Sequence, residues 1–256
     1  MKSAVIHLAD SCPAWFSIEK SNRELIVGRA HVLRTPWAED GLYLRIAGHH
    51  DPRVSEVNPG TNLPVRCAER HIQGDKTFCV GLHILQVNSQ DTARQWWVRL
   101  EQFLICQGVA EQTRIWPVKQ ALDHGDAGKY HERALALARA ANISEEYDLA
   151  RLGEPSWITD RKRHMFGKKG ELINSRALCP RGCKRRVRGR TVRTLRADCD
   201  KRQTLVDLVI AEQLRQKALK EYWRDVVASS HKCCRTMREC PLSGREDSAS
   251  SVREEK

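Results

Sequence analysis

The sequence contains no uninterrupted hydrophobic run long enough to cross a membrane, which takes roughly 18 to 20 apolar residues. The N-terminal segment 1–15 also lacks the apolar stretch of a secretory signal peptide, because Asp10 interrupts it. We therefore expect a cytoplasmic protein that makes no membrane contact.

The chain also lacks the composition of a disordered protein. Hydrophobic residues make up 41% and charged residues 30% of its 256 residues, which is typical of a globular protein. Cysteine, by contrast, is abundant, with ten residues. In a reducing compartment, cysteines serve metal binding or thiol chemistry more often than stable disulfides.

Positive charge is concentrated in one segment. Residues 161–202 contain 16 Lys and Arg against 3 Asp and Glu, whereas the rest of the chain contains 28 against 29. Such a block attracts polyanions, so it is expected to bind nucleic acid or an acidic protein, or else to be a solvated basic linker. Aromatic residues are nearly absent between residues 167 and 200, which argues against recognition of single strands.

The first part of the chain has the pattern of a small antiparallel sheet. Two runs with strand character cover residues 24–33 and 42–47, and turn-forming residues separate them. A third run is expected at residues 64–66, after the turn-rich loop 58–64.

Helical periodicity begins behind Ser89, the predicted N-cap, and Gly108 is expected to end that helix. Further helices are predicted over residues 126–141, from residue 144 to Gly153, and over residues 204–228. A sheet followed by helices is an α+β fold.

One segment combines the residue types that acyl transfer needs. It runs from Pro64 to Leu82 and contains His71, a Gly-Asp turn and Cys79. A thiolate is the nucleophile in such chemistry, and a polar side chain stabilises the oxyanion that forms when a thioester is attacked. Cys79 and Gln73 are the candidates for these roles. Arg70 and Lys76 flank Cys79 and are expected to lower its pKa.

This segment resembles the active site of ubiquitin-conjugating (E2) enzymes. In that family a proline-rich loop precedes a His-Pro-Asn tripeptide, a short hairpin with glycine, a hydrophobic residue before the catalytic cysteine, and a helix bearing tryptophan. The corresponding residues here are Asn58–Pro64, His71-Ile72-Gln73, Gly74-Asp75, Phe78-Cys79-Val80 and Trp96-Trp97. The likeness is to the prokaryotic E2-like families and covers about residues 15–107.

The resemblance implies an E2-like enzyme. Cys79 would take a ubiquitin-like protein from an E1-like adenylating enzyme as a thioester and pass it to an amine, with Gln73 at the oxyanion and His71 in a mainly structural role. Prokaryotic members lie in gene clusters with these partners, which suggests antiviral defence. Two features depart from the family: Ile72-Gln73 replaces Pro-Asn, and the spacing to Cys79 is shorter than in eukaryotic members.

Two other interpretations of these cysteines stay open. Cys67 and Cys79 with His71 and His83 have the composition of a zinc site. Alternatively, the cysteines are buried and inert.

The C-terminal cysteines predict a structural Zn²⁺ site. Its candidate ligands are sulfur and imidazole donors: Cys179, Cys183, Cys199, His231, Cys233, Cys234 and Cys240. Zinc would fix a region too polar to fold by burial alone. Unligated thiols and a redox role are the alternatives.

The predicted domains are an E2-like domain at 1–155, a basic cysteine-rich region with the long helix at 156–240, and a disordered tail at 241–256. If the chain is not an enzyme, the alternative is a zinc-stabilised basic protein that binds nucleic acid or an acidic protein.

Overall fold

The structure is a computed structural model, and parts of the chain lie outside what it describes. The described residues are 3–81, 85–117, 123–160, 178–192, 195, 198–229, 231–238 and 240–243, with the backbone alone at 185–187 and 192. Residues 161–177 of the basic segment, His83 and residues 244–256 of the predicted tail lie outside this set. No helix within it is long and apolar enough to span a membrane.

The chain forms two compact units. The first combines Met1–Leu122 with Val227–Lys256, and the second is Asp123–Val226. The units therefore divide the chain at residue 122, whereas the sequence pattern predicted a domain boundary at residue 155.

Where the structure describes it, the first unit forms a four-stranded antiparallel sheet with two helices. Its elements are, in chain order, α1 (Ala4–Asp10), β1 (Phe16–Ser21), β2 (Leu25–Ala30), β3 (Leu42–Ala47), β4 (Arg53–Glu56) and α2 (Gln90–Thr113). The strands lie side by side in sequence order, and each pairs with its neighbour. The predicted antiparallel pair is confirmed as β2 and β3, and the α+β class is confirmed as well.

The core of this unit lies on the buried face of the sheet. Leu42, Leu44 and Ile46 alternate with more exposed residues along β3, the period-two pattern of a half-buried strand. The Trp97 ring of α2 contacts the Phe16 ring of β1, with centroids 4.9 Å apart. Its indole nitrogen also donates to a main-chain carbonyl of α1 at 3.0 Å. Trp97 therefore joins the sheet to both helices.

Residues 64–66 form no strand, so the third predicted strand is wrong. The buried carboxylate of Glu56 accepts hydrogen bonds from the amides of Gly60, Asn62 and Leu63, at 3.0 to 3.2 Å. These bonds wrap the loop around the end of β4. The loop amides therefore bond to a carboxylate and not to a neighbouring strand.

The helix α2 begins where the sequence predicted and ends later. Ser89 caps it in a reciprocal capping box with Thr92. Gly108 does not end it, because the helix continues to Thr113 and is followed by Arg114 in a left-handed conformation. A Cβ on Gly108 would lie 3.0 Å from the Thr35 side chain. This glycine therefore permits close packing within the helix.

The described residues of the second unit form three helices and a small hairpin. They are α3 (Ala127–Ala141), α4 (Ser144–Arg151), β5 (Arg185–Val187), β6 (Arg190–Val192) and α5 (Arg202–Ala228), whose last two residues belong to the first unit. The three helices confirm the predictions, and the hairpin was not predicted. Its turn has Arg188 and Gly189 at positive φ, 48° and 78°, as a two-residue hairpin loop requires.

A group of buried charges lies inside the second unit. Arg215 pairs with Glu212 and with Asp123, each at 2.7 Å, and Asp123 also lies 2.5 Å from the His131 ring. Burial opposes ionisation of Asp123, but His131 and Arg215 outweigh it and lower its pKa. The two carboxylates therefore neutralise the buried Arg215 within an otherwise apolar core, while Nε2 of His131 has no hydrogen-bond partner among the described residues.

Candidate active site

Cys79 lies at the end of an irregular hairpin. Antiparallel bridges join Cys67 to Ile72 and Ile72 to Phe78. The Phe78 amide also donates to the Val54 carbonyl of β4 at 2.8 Å. Because Phe78 is buried and bonded to the sheet, the residue before Cys79 has a fixed position.

A tight turn closes this hairpin. The Gln73 amide donates to the Thr77 carbonyl at 2.8 Å, and the Lys76 amide donates to the Gln73 carbonyl at 3.0 Å. Asp75 accepts hydrogen bonds from the hydroxyl and the amide of Thr77, at 2.6 and 3.1 Å. The hydroxyl contributes most to lowering the pKa of Asp75. Asp75 therefore stabilises the turn as an ionised acceptor.

The Cys79 thiol is half-buried, and its Sγ lies 3.5 Å from the Gly81 carbonyl. Burial raises the pKa of Cys79, and a backbone hydrogen bond at Gly81 offsets only part of this effect. The thiol is therefore protonated at neutral pH. The expected lowering of its pKa by Arg70 and Lys76 is wrong.

The reason is the orientation of the Arg70 side chain, which is fully buried. Its Nε donates to Gln107 at 2.8 Å and its Nη1 pairs with Glu111 at 2.7 Å, while the Gln107 amide donates to the Arg70 carbonyl at 2.6 Å. Arg70 thus fastens the start of the hairpin to α2, and Glu111 neutralises its charge. Lys76 is exposed, where water screens its charge.

His71 contacts Cys79 through its main chain. The His71 carbonyl accepts a hydrogen bond from the Cys79 amide at 2.8 Å. The residue has a positive φ of 54°, and its buried ring lies 5.0 Å from the Trp116 ring, centroid to centroid. The geometry of this residue therefore helps to set where Cys79 lies.

A cavity of about 320 Å³ opens beside Cys79, and Gln73 lines it together with Arg53, Trp96 and Arg99. Gln73 is exposed, so its amide is able to turn toward a group bound at Cys79. The structure thus places Cys79 and Gln73 at one cavity, with His71 supporting Cys79 through the backbone.

Two residues of this region were not predicted from the sequence. Glu56 holds the loop that follows it, and its signal in the sequence is a carboxylate two positions after Val54, on the same buried face of β4. Arg99 lies beside Gly81, where an added Cβ would stand 3.1 Å from its Nη1. Helical spacing gave no signal for Arg99, because charged residues on α2 are common on its exposed face.

The predicted zinc ligands fall in both units. Cys179, Cys183 and Cys199 lie in the second unit, and a hydrogen bond with Cys179 raises the pKa of Cys183. The ligands assigned to the first unit are His231, Cys233, Cys234 and Cys240.

Cys234 has a partner that the sequence analysis did not give it. Its Sγ lies 2.8 Å from that of Cys67, and the Thr236 hydroxyl lies 3.2 Å away. The hydrogen bond with Cys67, followed by that with Thr236, lowers the pKa of Cys234 to about 5. The same bond to Cys234, together with burial, raises the pKa of Cys67.

A cysteine-rich domain is compatible with a structural metal, but the geometry does not supply a site. In the part of the chain that the structure describes, no group of three or more His, Cys, Asp or Glu side chains could hold a metal ion. All ten cysteines are described and all are free thiols. The zinc site drawn from the C-terminal residues therefore stays a prediction, and no step of the proposed chemistry depends on it.

Comparisons with protein families match both parts of the chain. A family model described as the prokaryotic E2 domain matches residues 15–118, which include the hairpin and Cys79. A second model, described as a cysteine-rich domain C-terminal to the E2 domain, matches residues 123–242. No curated protein and no solved structure matches the chain. The chain therefore belongs to the prokaryotic E2-like proteins that carry a cysteine-rich C-terminal domain.

Proposed function

We propose that this protein is an E2-like conjugating enzyme that carries a ubiquitin-like protein on Cys79 and transfers it to an amine. The observation that carries the proposal is the position of Cys79: a half-buried thiol at the end of a fixed hairpin, on the wall of a cavity, inside a matched prokaryotic E2 domain. An E1-like adenylating enzyme would supply the ubiquitin-like protein.

Loading is a transthiolation. The Cys79 sulfur bonds to the carbonyl carbon of the thioester on the E1-like enzyme, and the carbon–sulfur bond to that enzyme breaks. The Cys79 proton passes to a base before the attack, and the departing thiolate of the E1-like enzyme takes up a proton afterwards. Because burial raises the pKa of Cys79, loading requires a base to take up this proton first, and it accelerates as pH rises.

Transfer is the second step. The amine nitrogen of a target attacks the thioester carbonyl and an oxyanion forms. The nitrogen then loses a proton to solvent, the bond to the Cys79 sulfur breaks, and Cys79 leaves as a thiolate that is protonated again. The exposed Gln73 amide lines the same cavity and is the proposed donor to that oxyanion. Gln73 stands where the E2 family has an asparagine, and its additional methylene gives the amide a longer reach.

The basic segment is the proposed docking region for a partner. Lys184, Arg188 and Arg190 are exposed on and beside the β5–β6 hairpin. Their charge complements an acidic protein surface or a nucleic acid, and such binding weakens steeply with salt. A protein that bound nucleic acid and did nothing else is the rival function.

The test is a loading assay with the full chain, ATP, and the E1-like enzyme and ubiquitin-like protein from the same gene cluster. We expect an adduct that thiols cleave and that Cys79→Ala abolishes. Cys79→Ser should instead give an adduct that resists thiols, because an oxygen ester forms. Cys12→Ala is the matched control, since Cys12 is also a partly buried free thiol whose pKa burial raises.

An adduct that survives Cys79→Ala would contradict the proposal. Salt-sensitive nucleic-acid binding without any adduct would favour the rival, and neutralising Lys184, Arg188 and Arg190 would abolish that binding.

A further inference from the structure

The cysteine pair of the first unit has a geometry of its own. The sulfurs of Cys67 and Cys234 are 2.8 Å apart, although 167 positions separate the residues in the chain. Cys67 is 5% exposed, whereas Cys234 is half-buried and reachable from solvent. One thiol of the pair is therefore accessible and the other is covered.

The distance distinguishes two chemistries. Two thiolates on one tetrahedral zinc ion, with zinc–sulfur bonds of about 2.3 Å, lie about 3.8 Å apart. The sulfurs of a disulfide are about 2.0 Å apart. To bind one zinc ion, the two sulfurs would have to move apart by about 1 Å. To form a disulfide, they would have to approach each other by less than about 1 Å. The neighbouring Cys233 sulfur accepts a hydrogen bond from the Arg235 amide at 3.3 Å.

Backbone contacts fix both partners. The Cys67 amide and carbonyl exchange hydrogen bonds with Ile72, at 3.1 and 2.9 Å. On the other side, Arg114 donates through Nη2 to the Arg235 carbonyl at 2.9 Å, and its carbonyl accepts from the Arg238 amide at 2.9 Å. The segment carrying Cys234 is therefore attached to the residue that follows α2.

We propose that Cys67 and Cys234 form a reversible oxidation site, in which a peroxide converts the two thiols into a disulfide. Cys234 reacts first because it is the accessible partner, and Cys67 resolves the product. The inference is independent of acyl transfer at Cys79.

The chemistry balances with hydrogen peroxide as oxidant. The Cys234 sulfur attacks one peroxide oxygen, the oxygen–oxygen bond breaks, the thiol proton passes to the leaving hydroxide, and a sulfenic acid and water form. The Cys67 sulfur then attacks the sulfenic sulfur, its proton leaves with the hydroxyl as a second water, and the disulfide forms. In total, two thiols lose two electrons and two protons to one peroxide. A thiol reductant reverses the reaction.

The disulfide would join the segment after α5 to the hairpin that carries Cys79. Cys67 is bridged to Ile72, and Ile72 is bridged to Phe78, the residue before Cys79. Oxidation thus adds a covalent tie at the base of the candidate active site.

The experiment oxidises the reduced full chain with stoichiometric hydrogen peroxide and counts thiols after denaturation. We expect two of the ten thiols to be lost and then restored by dithiothreitol. Peptide mass spectrometry without reduction should show a cross-link between the peptides that contain Cys67 and Cys234. Because Cys233 lies in the same peptide, the assignment is made in Cys233→Ser, which should retain the cross-link.

Two variants separate the roles. Cys234→Ser should abolish the thiol loss, and Cys67→Ser should leave a sulfenic acid on Cys234 that dimedone traps. Cys106→Ser is the control, since this buried thiol contacts Gln102 and should oxidise as the unmodified chain does. If Cys67→Ser fails to fold, Cys234→Ser still decides, because its side chain is only half-buried.

Three results would overturn the proposal. They are unchanged thiol loss in Cys234→Ser, a cross-link between another pair of cysteines, and one zinc ion per chain in native mass spectrometry that Cys67→Ser or Cys234→Ser releases. The loading assay on Cys79 is not needed for any of them.

Discussion

The hairpin at residues 71–79 and the segment at residues 231–240 place two thiols of one unit in opposite surroundings. Cys79 borders apolar side chains, and burial raises its pKa. Cys234 is hydrogen-bonded to Cys67 and Thr236, and its pKa falls to about 5. A protonated thiol is spared by oxidants until a base removes its proton, whereas a thiolate reacts with them directly. Local solvation and hydrogen bonding thus separate two thiol chemistries within one unit.

The largest expected difference is in the pH dependence of alkylation. Burial raises the pKa of Cys79 above that of an ordinary thiol, so its rate of reaction with iodoacetamide should rise about 100-fold from pH 6.5 to 8.5. Cys234 is already a thiolate across this range, so its rate should change less than about twofold. Peptide mass spectrometry after timed labelling of Cys233→Ser measures both rates. Parallel pH profiles would remove the contrast.

The next largest effect is on the free energy of unfolding, when the arginine that holds the Cys79 hairpin or the arginine that holds the Cys234 segment is removed. Arg70 is buried and bonded to Gln107 and Glu111, whereas Arg114 is exposed and donates to the Arg235 carbonyl. Arg70→Ala should lower the free energy of unfolding by roughly 2 to 3 kcal/mol, because it leaves buried polar groups unpaired. Arg114→Ala should cost less than about 1 kcal/mol. Urea denaturation followed by tryptophan fluorescence measures both, and equal losses would contradict this assignment.

A smaller effect is expected at Gln73. Gln73→Ala should slow discharge of loaded Cys79 to an amine by about 10-fold, since one exposed oxyanion donor is lost. The same change should leave the peroxide reaction of Cys234 as it is. Single-turnover discharge of preformed thioester gives the rate, and Lys76→Ala in the same turn is the control. An undiminished rate would exclude Gln73 from the oxyanion.

The smallest effect is expected at the Arg53–Asp75 ion pair. The two side chains lie 3.0 Å apart but are 67% and 47% exposed. Arg53→Ala should therefore change the free energy of unfolding by less than about 0.5 kcal/mol, in contrast to the buried Arg70. A loss of several kcal/mol in the same urea experiment would show that burial does not separate these two arginines.

Local pattern predicted much of this fold. The β2–β3 pair, the capped start of α2 and the helices α3, α4 and α5 followed from periodicity and capping residues, which act over a few positions. The strands β1 and β4 and the short helix α1 were missed, because they are short and their apolar pattern is weak. The prediction that Gly108 ends α2 was wrong, because this glycine allows close packing against Thr35 inside the helix.

At the candidate site, too, local features could be predicted from the sequence and contacts between distant residues could not. The hairpin around Cys79 was predictable from residue types in close sequence order. The direction of the Arg70 side chain was not, because a flanking position does not tell whether a charge points to a thiol or into the core. The pairing of Cys67 with Cys234 was also beyond reach, since spacing carries no information about contacts across 167 positions.

The discontinuity of the first unit bears on how fragments of this protein should be designed. A fragment cut at residue 118, where the first family match ends, would omit residues 227–243. Such a piece would lose the chain that covers Cys67 and the bonds to Arg114. The second unit is topologically an insertion, so an expression fragment of the first requires both ends of the polypeptide, joined by a linker in place of residues 123–226.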